Sequence, residues 1–194
     1  ADLRLALEGD PRLAQAWLTL ATIQCIRGDF SAARHSAVNL AGLTDPLTTT
    51  AIAAHIAALT GRARPAQIAL EKALASDGVN LRNDTPAHRS VELWARTILA
   101  EISTRLGDTA AAERHFKSAL SLGPSDPYLL ASHADFLLDQ GRKSEVTGRL
   151  MGRDRIDPLL LRLAEATRDP AHIRSLAARL DAAIARGDRA HLRE

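Results

Sequence analysis

Five glycines punctuate this chain of 194 residues at near-regular intervals. Gly28, Gly61, Gly107, Gly141 and Gly187 are separated by 33, 46, 34 and 46 residues. A period of this size constrains a fold more than any single motif, because each period must be one supersecondary unit stacked on the next. Two intervals match a helix-turn-helix repeat of about 34 residues, and the other two exceed it by about twelve, as an insertion would. The surroundings of the glycines also recur. An apolar helical stretch comes first, as in Trp17, Leu20, Ala21 and Gln24. Gly ends it, because a left-handed residue after a helix is cheap only without a Cβ. Asp29 and Asp108 are placed to cap the next helix. Ala33, Ala66 and Ala112 then stand where two helices must approach closely, with Leu70 and Phe116 filling the groove a turn later. The second helix should stop before Pro46, Pro124 or Pro158, since a proline amide cannot continue it.

Composition agrees with an all-α chain. Hydrophobic residues make up 46%, enough for a sizeable core, yet aromatics are only 3%. The apolar content is mostly Ala and Leu, strong helix formers, and strand formers are scarce. The net charge is +2, with both signs interspersed, which describes a solvated helical surface and not a nucleic-acid stripe. Lys72, Lys117 and Lys143 are the only lysines, a bias toward Arg that reads as a GC-rich bacterial genome. Cys25 is the only cysteine, so an intrachain disulfide is excluded, and nothing nearby would lower its pKa to make a nucleophile. No apolar run approaches the roughly 20 residues of a membrane-spanning helix. The compartment, cytoplasm or periplasm, is left open.

Signatures of chemistry are absent from the pattern. The seven histidines never fall at the i, i+3 or i, i+4 spacing that puts two metal ligands on one helix face. There is no phosphate-cradling glycine loop and no nucleophile elbow. Asp135 and Asp139 share a helix face, but a general-acid pair would need burial and an opposing partner. Arg-Gly-Asp occurs at 27–29 and 186–188; the repeat accounts for the first copy as helix end, turn and cap. No catalytic residue, metal or cofactor is expected.

The stretch AQAWLTLATIQCIRGDFSAARHSAVNLAGLTDP, residues 14 to 46, resembles a tetratricopeptide repeat in its Trp, Leu-Ala, Gly-Asp-aromatic, Ala and terminal Asp-Pro. Residues 93–126 match mainly in their second half. Residues 47–80 are a plainer copy, with Ala63 and Gly78 where an aromatic and a proline are usual. Residues 127–157 form a degenerate copy with Val146 for a small alanine and Arg153 for another. Residues 1–13 fit the end of a preceding repeat, 81–92 an insertion that lengthens the following helix, and 158–194 irregular C-terminal helices. A polar loop is expected over about 78–84 and one long helix from Pro86 through residue 106. Both ends fall inside repeats, so the sequence predicts a longer native protein.

The resemblance implies an α-solenoid of antiparallel helix pairs wound as a right-handed superhelix, with the first helix of each pair lining a concave groove. The residues then facing a ligand are Gln15, Leu18 and Thr22; Thr48, Ala51 and His55; Trp94, Thr97 and Glu101; Tyr128, Ala131 and Asp135. Trp94 and Tyr128 occupy equivalent positions, as do Glu101 and Asp135, a pattern suited to a peptide with apolar and basic side chains. The competing reading packs both aromatics on the preceding second helix. Chaperone-binding members of that family hold a terminal carboxylate with basic residues, but the matching positions here are Leu18, Thr22, Ile52, Trp94 and Ile98. The function implied is a non-catalytic scaffold for a protein or peptide partner, with no nucleic acid and no membrane insertion. The alternatives are the docking arm of a longer enzyme, such as a glycosyltransferase, and a homo-oligomer formed through the C-terminal helices.

Overall fold

The computed structural model describes residues 2–77 and 85–186. The expected loop at 78–84 and Gly187 lie outside the described residues. Among those described there are eleven helices and no strand. The chain divides into two compact units, Ala1–Pro124 and Ser125–Glu194.

The first unit holds α1 (Asp2–Gly9), α2 (Ala14–Ile26), α3 (Phe30–Leu40), α4 (Pro46–Leu59), α5 (Ala63–Asp77), α6 (Pro86–Arg105) and α7 (Thr109–Leu122). Three antiparallel pairs follow one another: α2 with α3, α4 with α5, α6 with α7. Each new first helix packs on both members of the preceding pair, α4 on α2 and α3, and α6 on α4 and α5. The first helices therefore form a row. The second helices α3, α5 and α7 do not pack against one another.

Two apolar clusters hold this unit. One joins Ala21 and Cys25 of α2, Ala33, Ala37 and Leu40 of α3, and Ile52 and Ile56 of α4. The other joins Leu47, Ala51 and Ala54 of α4, Ala66 and Leu70 of α5, and Ala95, Ile98, Leu99 and Ile102 of α6. The predicted seam of α7 is buried: Ala112 and Ala119 have no exposed surface, and Phe116 is 1% exposed. Two polar contacts cross the helix pairs inside the packing. The Gln24 side chain meets the Ser36 hydroxyl at 2.8 Å, and the Gln67 amide donates to the Ser103 hydroxyl at 3.4 Å. Burial pushes the Cys25 thiol pKa up, in keeping with a core residue.

The pair turns repeat one hydrogen-bond pattern. In each, the amide after the glycine donates to a carbonyl five residues back: Asp29 to Gln24, Arg62 to Ala57, Asp108 to Ser103 and Arg142 to Leu137, at 2.8–2.9 Å. This closure requires a left-handed residue at the glycine. Gly28, Gly61, Gly107 and Gly141 have φ of 72°, 85°, 74° and 71°. A Cβ at Gly107 would meet nothing within 4 Å, so substitution there is a test of backbone alone. Gly107→Ala should cost about 1–2 kcal/mol, and Gly107→Asn less. Gly148 sits inside helix α9 (Lys143–Leu150) with equally open space. Gly148→Ala should therefore stabilise, by about 0.4–1 kcal/mol. Urea melts of the three variants check the two signs.

The caps follow the sequence. Asp29 accepts from the Ala32 amide at 3.1 Å and Asp108 from the Ala111 amide at 2.9 Å. The prolines differ from expectation. Pro46 starts the next helix behind capping Asp45, as Pro127 does behind Asp126, and Pro158 lies in the first turn of the helix Asp157–Thr167, so Pro46 and Pro158 are not simply stops for the preceding helix. A proline is tolerated at a first helical position because its missing amide would be unpaired there anyway. Burial would raise the Asp45 carboxyl pKa, but hydrogen bonds from Thr48 and Thr44 outweigh it and hold the carboxyl below its ordinary value.

The second unit holds α8 (Pro127–Asp139), α9, α10 (Asp157–Thr167) and α11 (Pro170–Ala185). α8 pairs with α9, and α10 packs on both. Leu129, Leu130 and Leu137 of α8, Leu150 of α9, and Leu159 and Leu160 of α10 are buried. Val146, standing where a small alanine is usual, is also fully buried. α11 packs on α10 alone, and Ala183 is its one buried residue. The short helix, the break at Asp169-Pro170 and the longer helix read from the sequence correspond to α10 and α11.

Candidate functional site

Helix α4 shows how the row of first helices presents two opposite surfaces. At 3.6 residues per turn, Leu47, Ala51 and Ala54 form the stripe toward α5 and α6, and Ile52 and Ile56 the stripe toward α2 and α3. His55 projects between these stripes on one side; Thr49, Ala53, Ala57 and Thr60 project on the other. The side carrying His55 is called the inner face here, and the opposite side the outer face.

The ligand-facing residues read from the sequence do not all reach the inner face. In the first unit, Gln15 and Thr22 are exposed, and Leu18, His55, Trp94 and Glu101 are half-buried. Thr48 and Thr97 are a correction: they are 4% and 0% exposed. The Thr97 hydroxyl donates to the Leu93 carbonyl of its own helix at 2.9 Å. The Thr48 hydroxyl donates to the Asp45 carboxylate at 2.5 Å, so it completes a helix start. Ala51 belongs to the core. So do Ile52 and Ile98, two of the positions compared with a carboxylate clamp. Trp94 packs against both apolar clusters, so its ring belongs largely to the fold.

His55 and Glu101 are brought together. The imidazole Nδ1 lies 3.7 Å from a Glu101 carboxylate oxygen, with the side chains 25% and 21% exposed. Both residues stand six places before their turn glycine, Gly61 and Gly107, so they hold the same position in successive repeats. The insertion between the repeats lengthens their separation in sequence and leaves the register intact. Burial holds the His55 pKa below its ordinary value; Glu101 opposes this and Arg105 adds to it. Burial likewise lowers the His115 pKa, with Arg114 and Arg96 acting in the same direction. The sign for stability follows. An unfolded imidazole takes its proton near pH 6.5, about where the folded one still resists it. The contribution is therefore intact above that pH and lost as pH falls toward the depressed folded value. Thermal melts between pH 7.5 and 5 should show this loss, and His55→Asn should shrink it.

In the second unit, Tyr128 is 40% exposed, and Ala131 is half-buried. Asp135 is engaged within the fold. Its two carboxylate oxygens accept from Arg162 Nε and Nη2 of α10, each at 2.6 Å. Arg162 also donates to the Ala131 carbonyl at 3.1 Å. The acid at this position is thus part of a helix-to-helix clamp, which no sequence pattern marks because Arg162 lies in the irregular region. Arg179 of α11 pairs with Asp157 at 2.8 Å in a similar way.

Among the described residues, no group of three or more His, Cys, Asp or Glu could hold a metal ion. No described helix is long and apolar enough to cross a membrane. The arrangement offers surfaces, and its titratable groups are spread along helices instead of converging on one reacting point.

Neither a family model nor a curated protein matches the chain. A solved structure does: the crystal structure of PilW, described as a widely conserved type IV pilus biogenesis factor. It superposes with a TM-score of 0.59 at 20% identity, over 93% of this chain and 82% of that one. A structure from a functional characterisation of Pseudomonas aeruginosa pilF aligns over 86% of this chain and 90% of that one, with 20% identity and a TM-score of 0.37. The helical architecture and the PilW likeness define the class as an all-α, tetratricopeptide-like helical-repeat fold.

Proposed function

We propose that this chain is a scaffold that binds another protein or peptide on the inner face of its α2–α4–α6 row, and that it performs no chemistry itself. The observation that carries the reading is the register of that row. Equivalent positions of successive repeats, Thr22, His55 and Glu101, come from helices packed side by side, and His55 and Glu101 lie within 3.7 Å of one another. A periodic surface of this kind suits an extended or helical segment of a partner better than a small molecule. Leu18 and Gln15 extend it along α2, and the Glu101 carboxylate favours a basic side chain on the partner. A helical-repeat fold in a protein described as a pilus biogenesis factor is compatible with a binding role, and the likeness is one of fold.

Site-specific photocrosslinking in the source cell tests this. A photoreactive residue replacing exposed Thr22 should yield a discrete adduct, and one replacing exposed Lys117 on α7 should not. Equal labelling at both positions, or none at Thr22, would reject the inner face. Trp94→Ala is a poor probe, because its loss perturbs both apolar clusters as well as any bound partner.

A second reading, self-association, has one observation in its favour. Ile173, Leu180 and Ile184 recur on α11 at helical spacing and are 53%, 40% and 52% exposed. Light scattering at rising concentration should then show dimers that Leu180→Glu abolishes. A constant monomer mass would remove this reading.

A further inference from the structure

The outer side of α4 carries a second surface that the repeat pattern does not require. α3 and α5 leave α4 exposed between them, since they do not pack together. Against α3 this opens a crevice of about 400 Å³. Its walls are Ala37 of α3, Ala41 just past the end of α3, and Ala53 and Ala57 of α4, with Val38 at the rim, 72% exposed. The Thr49 and Thr60 hydroxyls that border it are turned to carbonyls of their own helix, Asp45 and Ile56, at 3.2 and 2.9 Å.

Its charge is asymmetric. Arg34 stands near the start of α3 and Arg62 just past the end of α4. The two helices are antiparallel neighbours, so Arg34 and Arg62 both line one end of the crevice. Neither makes a side-chain hydrogen bond or an ion pair within the described residues. An apolar slot that ends in two uncompensated cations selects an apolar ligand with negative charge at one end.

We infer that the α3/α4 crevice is a docking slot for an amphipathic helix of another protein, with an apolar stripe along the slot and acidic residues at the Arg34–Arg62 end. Paired alanines four residues apart on both walls let a third helix approach closely, ridge into groove. The wall residues span about 10 Å on α3 and about 16 Å on α4 at 1.5 Å per residue, which corresponds to two to three turns of ligand helix. The site lies on the opposite side of α4 from His55 and is independent of binding at the inner face.

The test uses the intact chain and fluorescein-labelled synthetic peptides of 14 residues, read by anisotropy. Three share a leucine stripe: one has two Glu at its N-terminal turn, one has two Glu at its C-terminal turn, and one has Lys in their place. One of the acidic peptides should bind saturably, at least tenfold tighter than the Lys peptide. The double variant Arg34→Glu, Arg62→Glu should invert that preference. Ala53→Leu, which fills the slot at an exposed position, should weaken binding at least tenfold while leaving the melting curve unchanged. Glu101→Lys on the inner face should leave it unaltered. Several results would overturn the inference. One is the absence of saturable binding by either acidic peptide, and another is equal affinity for acidic and basic peptides. Loss of binding with Glu101→Lys in place of Ala53→Leu would move the peptide to the inner face. Binding of sodium laurate without any peptide would make the slot a lipid site.

Discussion

Phe116→Ala should lower the stability of the first unit by about 3–5 kcal/mol, the range for emptying a fully buried aromatic position. Phe116 is 1% exposed and sits between Ala112 and Ala119, which have no exposed surface. Those alanines mark where the α6 and α7 backbones run close, so neighbouring side chains are too short to reach into the space a truncated ring would leave. The cavity then persists, and the cost includes lost contacts as well as lost burial. Guanidinium denaturation should shift to lower midpoint with little change of slope. Lys117→Ala, on the exposed side of the same turn, should stay within about 0.5 kcal/mol of the parent. An equal shift for both would mean that the α7 register is wrong.

Ala112→Leu tests the same crossing from the opposite direction and should cost about 1–3 kcal/mol. Here the error is excess volume. Ala112 follows its turn glycine by five residues, as Ala33 and Ala66 do theirs, and all three are buried at 0–4% exposure. A leucine there must separate the two helices or adopt an unfavourable rotamer, because no void adjoins a position with no exposed surface. The two substitutions make a pair: a hole and a wedge one turn apart, both destabilising. An unchanged melt for Ala112→Leu would show that α6 and α7 have room to part.

Much of the repeat was legible in local sequence for a definite reason. A left-handed glycine, a capping aspartate and a helix-start proline each act through the backbone within a few residues of themselves. Gly107 and Asp108 announce a helix end and a helix start whatever packs around them. The seam alanines were legible too, because a close helix crossing repeated at a fixed offset from the turn admits only small side chains. Sequence was less informative about the flanks of the first helices. Thr97 falls at a ligand-facing position of the repeat pattern, yet α6 is packed on by α4, α5 and α7, and its flank is covered. Thr48 likewise serves the Asp45 cap. A threonine at such a position looks the same in sequence whether it meets solvent, a partner or its own helix carbonyl.

The sequence by itself therefore determined that the chain is all-helical, where its pairs turn, and which small and large residues meet in each pair. These follow from 3.6-residue periodicity and from backbone chemistry that does not depend on distant parts of the chain. Tertiary structure alone decided what each outward residue meets. It placed His55 beside Glu101, joined Asp135 to Arg162 across 27 residues, drew Trp94 into both cores, and left the outer side of α4 open between α3 and α5. The physical reason is that these are contacts between separate helices, set by how closely neighbouring pairs approach, and no local pattern records that distance.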